Sequence, residues 1–316
     1  ELGQIERTRG VSLGEALAPL EVDAESHVSA RGRRIPSERG AEMTQRLIDR
    51  PDAVTAAALV EVSLHSDSSL VRTAAAVAAL DTAGGAQRTD VVATLVDGAD
   101  ARDALTRQIA RIGLARVNPE HDKLAHVVGR AAELTGRDRP SHTAILTHGT
   151  FAARTRWWRP GGDFYTYLDG LVPPLGLHDP SFGWSGLYSD PARQLAAQQL
   201  AAWLADQGLQ QPDLFAHSHG ATVANLATRT GAEFDRLVLL SWPVHTQWFP
   251  DFTQVRRIVD IRVRLDLVII ADRGGQTFTP PAEYRGKVTS HVNGWFDHGA
   301  TNDPAYWKQH DLPGAL

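Results

Sequence analysis

The chain has 316 residues, of which 42% are hydrophobic, and a formal net charge of -5 at pH 7. This composition can form a sizeable core, and it excludes a disordered chain and the strongly basic surface by which proteins bind nucleic acid. No run of about 18 apolar residues is present, so we expect no transmembrane segment and a cytoplasmic protein. The chain begins at Glu1 rather than Met, which leaves a trimmed N-terminus open. The absence of cysteine excludes a thiol nucleophile, thiolate metal ligands and disulfides.

The N-terminal part of the chain is polar and then helical. Residues 1–40 are rich in arginine and predict an extended arm or linker, and residues 41–140 are assigned to a helical module. Within it, the segment 64–80 is echoed at 95–114: an Asp-containing turn, an arginine and an Ala/Leu-rich helix follow each other in both. The pattern resembles HEAT-type helical repeats, and a plain helical bundle is the alternative. Exposed faces of such helices often bind other proteins, so we expect a protein partner here.

After Pro140 apolar runs alternate with helical patterns, which predicts a mostly parallel sheet with helices on both faces. The clearest helix starts at Ser189 or Asp190, has Pro191 in its first turn and stops at Gly208. Five short apolar runs are candidate strands: 143–147, 213–216, 236–241, 257–264 and 286–292.

The most informative motif is the turn Ala-His-Ser-His-Gly around Ser218, between a predicted strand and an Ala-rich helix that ends near Gly231. A nucleophile elbow has this form: the serine occupies a sharp strand-to-helix turn, and the residues two before and two after it must be small. Ala216 and Gly220 meet that need. An ordinary turn that happens to contain serine is the alternative interpretation.

A serine hydroxyl needs a base to activate it and an acid to orient that base. Asp266 follows a strong β-run, and His298 lies in a turn-rich loop after the last β-run. Over residues 141–316 these residues, in the order nucleophile, acid, base, resemble the α/β-hydrolase superfamily and in particular its lipase-like serine esterases. The resemblance implies that Ser218 attacks an acyl carbonyl, that His298 transfers the proton and that Asp266 holds the imidazole. Asp272 is the alternative acid.

Other residues compete for the role of base or extend the site. His291 and His310 are rival bases, the first within a predicted strand and the second near the C-terminus. The resemblance further implies an oxyanion hole built from the backbone N–H groups of His219 and Thr150, with Phe151 as the alternative to Thr150.

Aromatic residues are concentrated between the predicted oxyanion loop and the next helix, in a connection of some forty residues. Loops of this length are usually functional, and aromatic side chains commonly line ligand pockets, although some must pack as core. We therefore expect three side chains of this connection to contact the substrate: Trp157, Trp158 and Trp184. Trp242, which follows the predicted strand 236–241, is expected to contact it from the other side.

The histidines that flank the serine, His217 and His219, also suggest a chelating pair, with three further candidate ligands: His148, His245 and Asp266. Residues two apart at a sharp turn need not converge on one ion, so we expect no metal and no cofactor. The sequence thus predicts a serine hydrolase that cleaves a small-molecule or lipid-like ester. A scaffold protein with a degenerate hydrolase domain, and an amidase or acyltransferase using the same residues, are the alternatives.

Overall fold

The computed structural model describes residues 38–50, 52–125 and 143–316. The predicted arm lies outside these ranges except for its last three residues, and the domain boundary predicted at residue 140 also lies outside them. The chain divides into two compact units after Asn118, a helical unit and a sheet unit. Among the described residues, every helix is too short or too polar to cross a membrane.

Three helices of the helical unit begin at side-chain caps. Asp52, Ser68 and Asp103 each accept a hydrogen bond from the backbone N–H three residues later, which satisfies a donor that the first turn leaves free. The helices are α1 (Glu38–Asp49), α2 (Ala53–Leu64), α3 (Ser69–Ala79), α4 (Thr89–Gly98) and α5 (Ala104–Val117).

The two similar segments of this unit make one equivalent hydrogen bond. An Nη1 group of Arg72 donates to the carbonyl of Ser66 at 2.5 Å, and Nη1 of Arg107 donates to the carbonyl of Ala101 at 2.6 Å. In both cases an arginine in the first turn of a helix bonds a carbonyl six residues earlier in the preceding turn. The shared bond supports an internal repeat, and the HEAT-like interpretation stays a prediction.

The sheet unit contains a parallel sheet whose strand order follows the chain. Most of its strand residues are buried, as expected when helices cover both faces, and only the last strand, at the edge, is largely accessible. The strands of the described residues are β1 (Ala144–Thr147), β2 (Asp213–His217), β3 (Phe234–Leu240), β4 (Val255–Arg264) and β5 (Val288–Trp295).

The helices of this unit lie between and after the strands. Ser189 caps α8 by accepting from the N–H of Ala192 at 3.2 Å, Pro191 occupies the first turn, and Gly208 follows the helix with φ +56°. The helices are α6 (Asp122–Ala125), α7 (Asp163–Asp169), α8 (Asp190–Asp206), α9 (His219–Thr228), α10 (Leu267–Ala271) and α11 (Pro304–Gln309).

Alternate strand residues face two separate apolar cores, one on each face of the sheet, because side chains alternate along a strand. One row pairs across four strands and joins the first core: Ile145, Leu214, Leu237 and Ile258. The adjacent row joins the second core: Leu146, Phe215, Val238 and Val259. The predicted α/β class, with a parallel sheet covered on both faces, is therefore confirmed.

A buried ion pair lies within β4. Arg262 Nε donates to Asp260 Oδ2 at 2.8 Å, and both side chains are almost fully buried. We expect Arg262→Met to lower the free energy of unfolding by about 3–5 kcal/mol, because it leaves a buried carboxylate uncompensated. Urea unfolding measures this change. Arg256→Met, which removes an exposed pair with Asp235, is the control and should have little effect; equal effects of the two variants would contradict the prediction.

Candidate active site

Ser218 lies in a sharp turn between β2 and α9, with φ +54° and ψ -131°. A residue other than glycine rarely adopts this backbone conformation, and such strain persists only where the surrounding structure enforces it. The N–H of Ser218 donates to the carbonyl of Leu240 at 2.8 Å, which ties the turn to the end of β3. The serine is thereby held at the carboxyl edge of the sheet in the conformation of a nucleophile elbow.

Two glycines allow the loop after β1 to approach this turn. A Cβ atom on Gly220 would lie 2.4 Å from the carbonyl oxygen of His148, and a Cβ atom on Gly149 would lie 2.6 Å from the Cβ of Ser218. Both distances are shorter than any normal van der Waals contact. The backbone after β1 therefore packs directly against the serine, as the small residues of the motif predicted.

We expect Gly149→Ala to lower kcat/KM for ester hydrolysis by about 10²-fold or more, because the added methyl group must displace Ser218 and a displacement of about 1 Å has costs of this size. Steady-state kinetics on a short-chain ester measures the change, with thermal unfolding as a check of the fold. Gly286→Ala is the control, since its added Cβ would meet no atom within 4 Å. Near-normal kinetics of Gly149→Ala would contradict this close approach.

Asp266 and His298 form a buried pair at the ends of β4 and β5. His298 Nδ1 donates to Asp266 Oδ2 at 2.7 Å, and the other carboxylate oxygen accepts from the N–H groups of Val268 and Ile269 at 3.0 and 3.1 Å. The carboxylate is completely buried and the histidine is 4% exposed. The Nδ1–H bond fixes the imidazole tautomer in which Nε2 is free to accept a proton.

His217 connects this pair to the serine turn. Its Nε2–H donates to the carbonyl of His298 at 3.0 Å, and the two rings lie 4.8 Å apart between centroids. Burial, together with the adjacent His298, lowers the pKa of His217 to about 3, so the ring is neutral. Among the described residues, Ser218 Oγ has no hydrogen-bond partner. Contacts between a nucleophile and its base commonly tighten only when substrate binds.

Backbone N–H groups next to the serine distinguish the candidates for the oxyanion hole. The N–H of Phe151 donates to the carbonyl of Gly186 at 2.9 Å and is therefore occupied. The N–H groups of Thr150 and His219 have no acceptor within the described part of the chain. This pattern favours Thr150 over Phe151 as the second donor.

The ring of His148 stabilises the loop that carries Thr150. Its Nδ1–H donates to the carbonyl of Gly149 at 2.8 Å, and Nε2 accepts from the N–H of Trp184 at 3.2 Å. Burial lowers the pKa of His148 to about 4, which keeps the ring neutral as both bonds require. The imidazole also packs between the rings of Trp158 and Trp184, at 4.6 and 5.8 Å.

Three of the four tryptophans predicted to contact substrate are buried. Trp158 is 2% exposed, and Trp184 and Trp242 have no exposed surface. Trp158 and Trp184 pack against His148, and Trp242 lies in the first apolar core, so all three rings are covered by protein. Trp157 is only partly buried, and its ring packs edge-on against His217 at 5.6 Å. The substrate-contacting role stays a prediction for Trp157.

Asp272 contacts different histidines from Asp266. Its two oxygens accept from Nε2 of His219 and Nε2 of His245, each at 2.8 Å. Burial alone would raise the pKa of Asp272, but the two imidazoles reverse this effect and the net pKa lies well below its ordinary value. The carboxylate is therefore an anion in a second His–Asp cluster, which is separate from the Asp266–His298 pair.

The histidines considered as metal ligands or as rival bases contact separate partners. His217 and His219 direct Nε2 at different acceptors, and in the described ranges no three His, Asp or Glu side chains are arranged to hold a metal ion. His291 lies within β5, paired with Ile261, and His310 packs on Tyr306 after α11.

Sequence reasoning missed the residues that hold Asp266 in position. Gln276 brackets the backbone of Asp266: Oε1 accepts from its N–H at 2.8 Å and Nε2 donates to its carbonyl at 3.1 Å. Nη1 of Arg262 donates to the carbonyl of Gln276 at 3.0 Å. The buried ion pair of β4 therefore supports the acid loop through one glutamine. A single glutamine ten residues from the aspartate gives no sequence signal of this contact.

No family model and no curated protein matches the chain. Among solved structures, an α/β serine hydrolase homologue from Coxiella burnetii is 14% identical with a TM-score of 0.40, over 60% of this chain and 98% of that chain. The esterase domain of a Rhodothermus marinus protein is 14% identical with a TM-score of 0.37, over 58% of this chain and 88% of that chain. A homologue of hormone-sensitive lipase from a metagenome library is 11% identical with a TM-score of 0.38, over 72% of this chain and 97% of that chain. The likeness is one of general architecture, and the residues of the site decide the chemistry.

Proposed function

We propose that the chain is a metal-independent serine hydrolase that cleaves carboxylic esters through an acyl-enzyme on Ser218. One observation carries the proposal. A serine in a strained elbow follows β2, and a completely buried carboxylate bonded to His298 Nδ1 lies at the ends of β4 and β5. Parallel strands bring their carboxyl ends to one edge of a sheet, so the nucleophile, base and acid share that edge.

The first half of the reaction forms the acyl-enzyme. Ser218 Oγ bonds to the carbonyl carbon of the ester while its proton passes to Nε2 of His298. Asp266 holds the imidazole and stabilises the imidazolium that results. The negative charge on the carbonyl oxygen is stabilised by the N–H groups of His219 and Thr150. The bond from carbon to the alcohol oxygen then breaks, and the alcohol leaves with the proton of His298.

Water completes the reaction by the same path. A water molecule gives a proton to Nε2 of His298 as its oxygen bonds to the acyl carbon, and the tetrahedral intermediate collapses with return of the proton to Ser218 Oγ. A carboxylic acid and an alcohol are the products. If an amine or a second alcohol replaced water, the same groups would catalyse acyl transfer.

A fluorophosphonate probe tests the proposal directly, because it reacts with an activated serine and not with an ordinary one. We expect one probe per chain by intact mass, with the modified peptide containing Ser218, and hydrolysis of p-nitrophenyl butyrate that persists in EDTA. A folded protein that is neither labelled nor active would overturn the proposal in favour of a scaffold role. Activity lost in EDTA and restored by zinc would instead indicate a metal-dependent hydrolase.

A further inference from the structure

A cluster of side chains around Asp272 is made of Asp272, His219, His245 and Thr222 with Trp242. These side chains have no part in the reaction described above, which uses only the backbone N–H of His219. Its members come from α9, the end of α10 and the segment after β3, which all lie near the carboxyl edge of the sheet. Asp272 and His219 have side chains that are 3% and 2% exposed, whereas the side chain of His245 is 20% exposed. The cluster therefore reaches the surface only at His245.

Hydrogen bonding fixes every proton on the buried side of this cluster. The indole Nε1–H of Trp242 can only donate, and it bonds Thr222 Oγ1 at 3.2 Å. The carboxylate of Asp272 can only accept, so His219 carries its proton on Nε2 and donates it to Asp272. Nδ1 of the neutral His219 ring then accepts from the Thr222 hydroxyl, also at 3.2 Å. Burial lowers the pKa of His219, in agreement with a neutral ring.

His245 is left with one unused ring nitrogen. Its Nε2–H donates to Asp272 at 2.8 Å, and Nδ1, the nitrogen on the other side of the ring, has no partner among the described residues. The ring of His245 is parallel to that of His219, within 9°, with centroids 6.2 Å apart. His245 lies in the segment that follows β3, and the end of β3 accepts the N–H of Ser218 through the carbonyl of Leu240. The ring of His245 is therefore on the same edge of the sheet as the proposed site.

We infer that His245 is a specificity-determining residue that accepts a hydrogen bond from a hydroxyl group of the substrate, so that hydroxyl-bearing esters are preferred over plain alkyl esters. The inference rests on the proposed function. Asp272 strengthens the acceptor, because a carboxylate bonded to Nε2–H increases the electron density of the imidazole ring. The same buried negative charge disfavours a carboxylate-bearing substrate.

The test compares hydroxylated and plain esters on wild type and two variants of His245. His245→Gln keeps a donor that can reach Asp272 and an acceptor oxygen, Oε1, whereas His245→Phe removes both while retaining a flat ring. On the acyl side the pair is p-nitrophenyl 3-hydroxybutyrate and p-nitrophenyl butyrate. On the alcohol side the pair is glycerol monobutyrate and propyl butyrate, and pH-stat titration of the released acid measures their hydrolysis. The measured quantity is the ratio of kcat/KM within each pair.

In wild type we expect the ratio to favour the hydroxylated ester in at least one pair by about tenfold, the usual effect of one neutral hydrogen bond. His245→Phe should reduce that ratio to near one, and His245→Gln should keep part of it through Oε1. A purely structural role of His245 would slow both esters of a pair alike and leave the ratio unchanged in His245→Phe. An active wild type with no preference in either pair, or a preference that survives in His245→Phe, would overturn this inference alone. A wild type that hydrolyses no ester and resists the fluorophosphonate would overturn the proposed function as well.

Discussion

Ser218→Ala is expected to reduce ester hydrolysis by about 10⁵- to 10⁶-fold and to abolish labelling by a fluorophosphonate, because loss of the nucleophile removes the acyl-enzyme route. The fold should be unaffected. Ser218 Oγ has no hydrogen-bond partner in the described part of the chain, so its removal leaves no other buried group unpaired. Turnover of p-nitrophenyl butyrate and intact-mass labelling measure the effect, and circular dichroism monitors the fold.

A second serine provides a matched control for this variant. Ser241 follows β3 at the same edge of the sheet and also has a positive φ, of +47°, but its Oγ accepts a hydrogen bond from Thr301 at 3.0 Å. Ser241→Ala should therefore retain both turnover and labelling. Hydrolysis by Ser218→Ala at a rate near that of wild type would rule out Ser218 as the nucleophile.

Asp266→Asn should lower kcat by about 10³- to 10⁴-fold, which is the effect of misorienting the base in a serine triad. The structural reason is specific. Asp266 Oδ1 accepts two backbone N–H bonds, so the amide variant will keep its oxygen there and turn its NH2 group toward His298 Nδ1. The imidazole must then present Nδ1 as an acceptor and carry its proton on Nε2, where it cannot accept the proton of Ser218.

Asp272→Asn is the comparison for Asp266→Asn. Asp272 is bonded to His219 and His245 rather than to His298, so on a plain alkyl ester this variant should lose far less activity than Asp266→Asn. Steady-state kinetics on p-nitrophenyl butyrate, with thermal unfolding to monitor the buried cluster, separates the two. The reverse order of effects would assign the acid to Asp272.

Local sequence was enough to predict the elements of the sheet unit. Runs of apolar residues mark strands buried on both faces, and each predicted strand lies within a few residues of an observed one. The cap at Ser189 and the stop at Gly208 are equally local, because they depend on backbone groups within one helical turn. The elbow at Ser218 could also be predicted, since its requirement for small neighbours extends over only five residues.

Long-range contacts could not be predicted in the same way. Asp266 and Asp272 are six residues apart in similar sequence surroundings, and only the packing of the segments after β3, β4 and β5 assigns His298 to one and His219 with His245 to the other. The sequence likewise left Thr150 and Phe151 open as oxyanion donors. The difference between them is a hydrogen bond from Phe151 to Gly186, 35 residues away.

The sequence by itself determined the alternation of strands and helices and the position of the sharp turn at Ser218, because these features depend on neighbouring residues. It also set the chain order of Ser218, Asp266 and His298, the candidates for nucleophile, acid and base. The tertiary structure alone decided which imidazole each carboxylate contacts, which tryptophans are buried and how Gln276 and Arg262 hold the acid loop. The physical reason is that burial and hydrogen-bond partnership are set by residues tens of positions apart. Such residues meet only once the strands have formed one sheet.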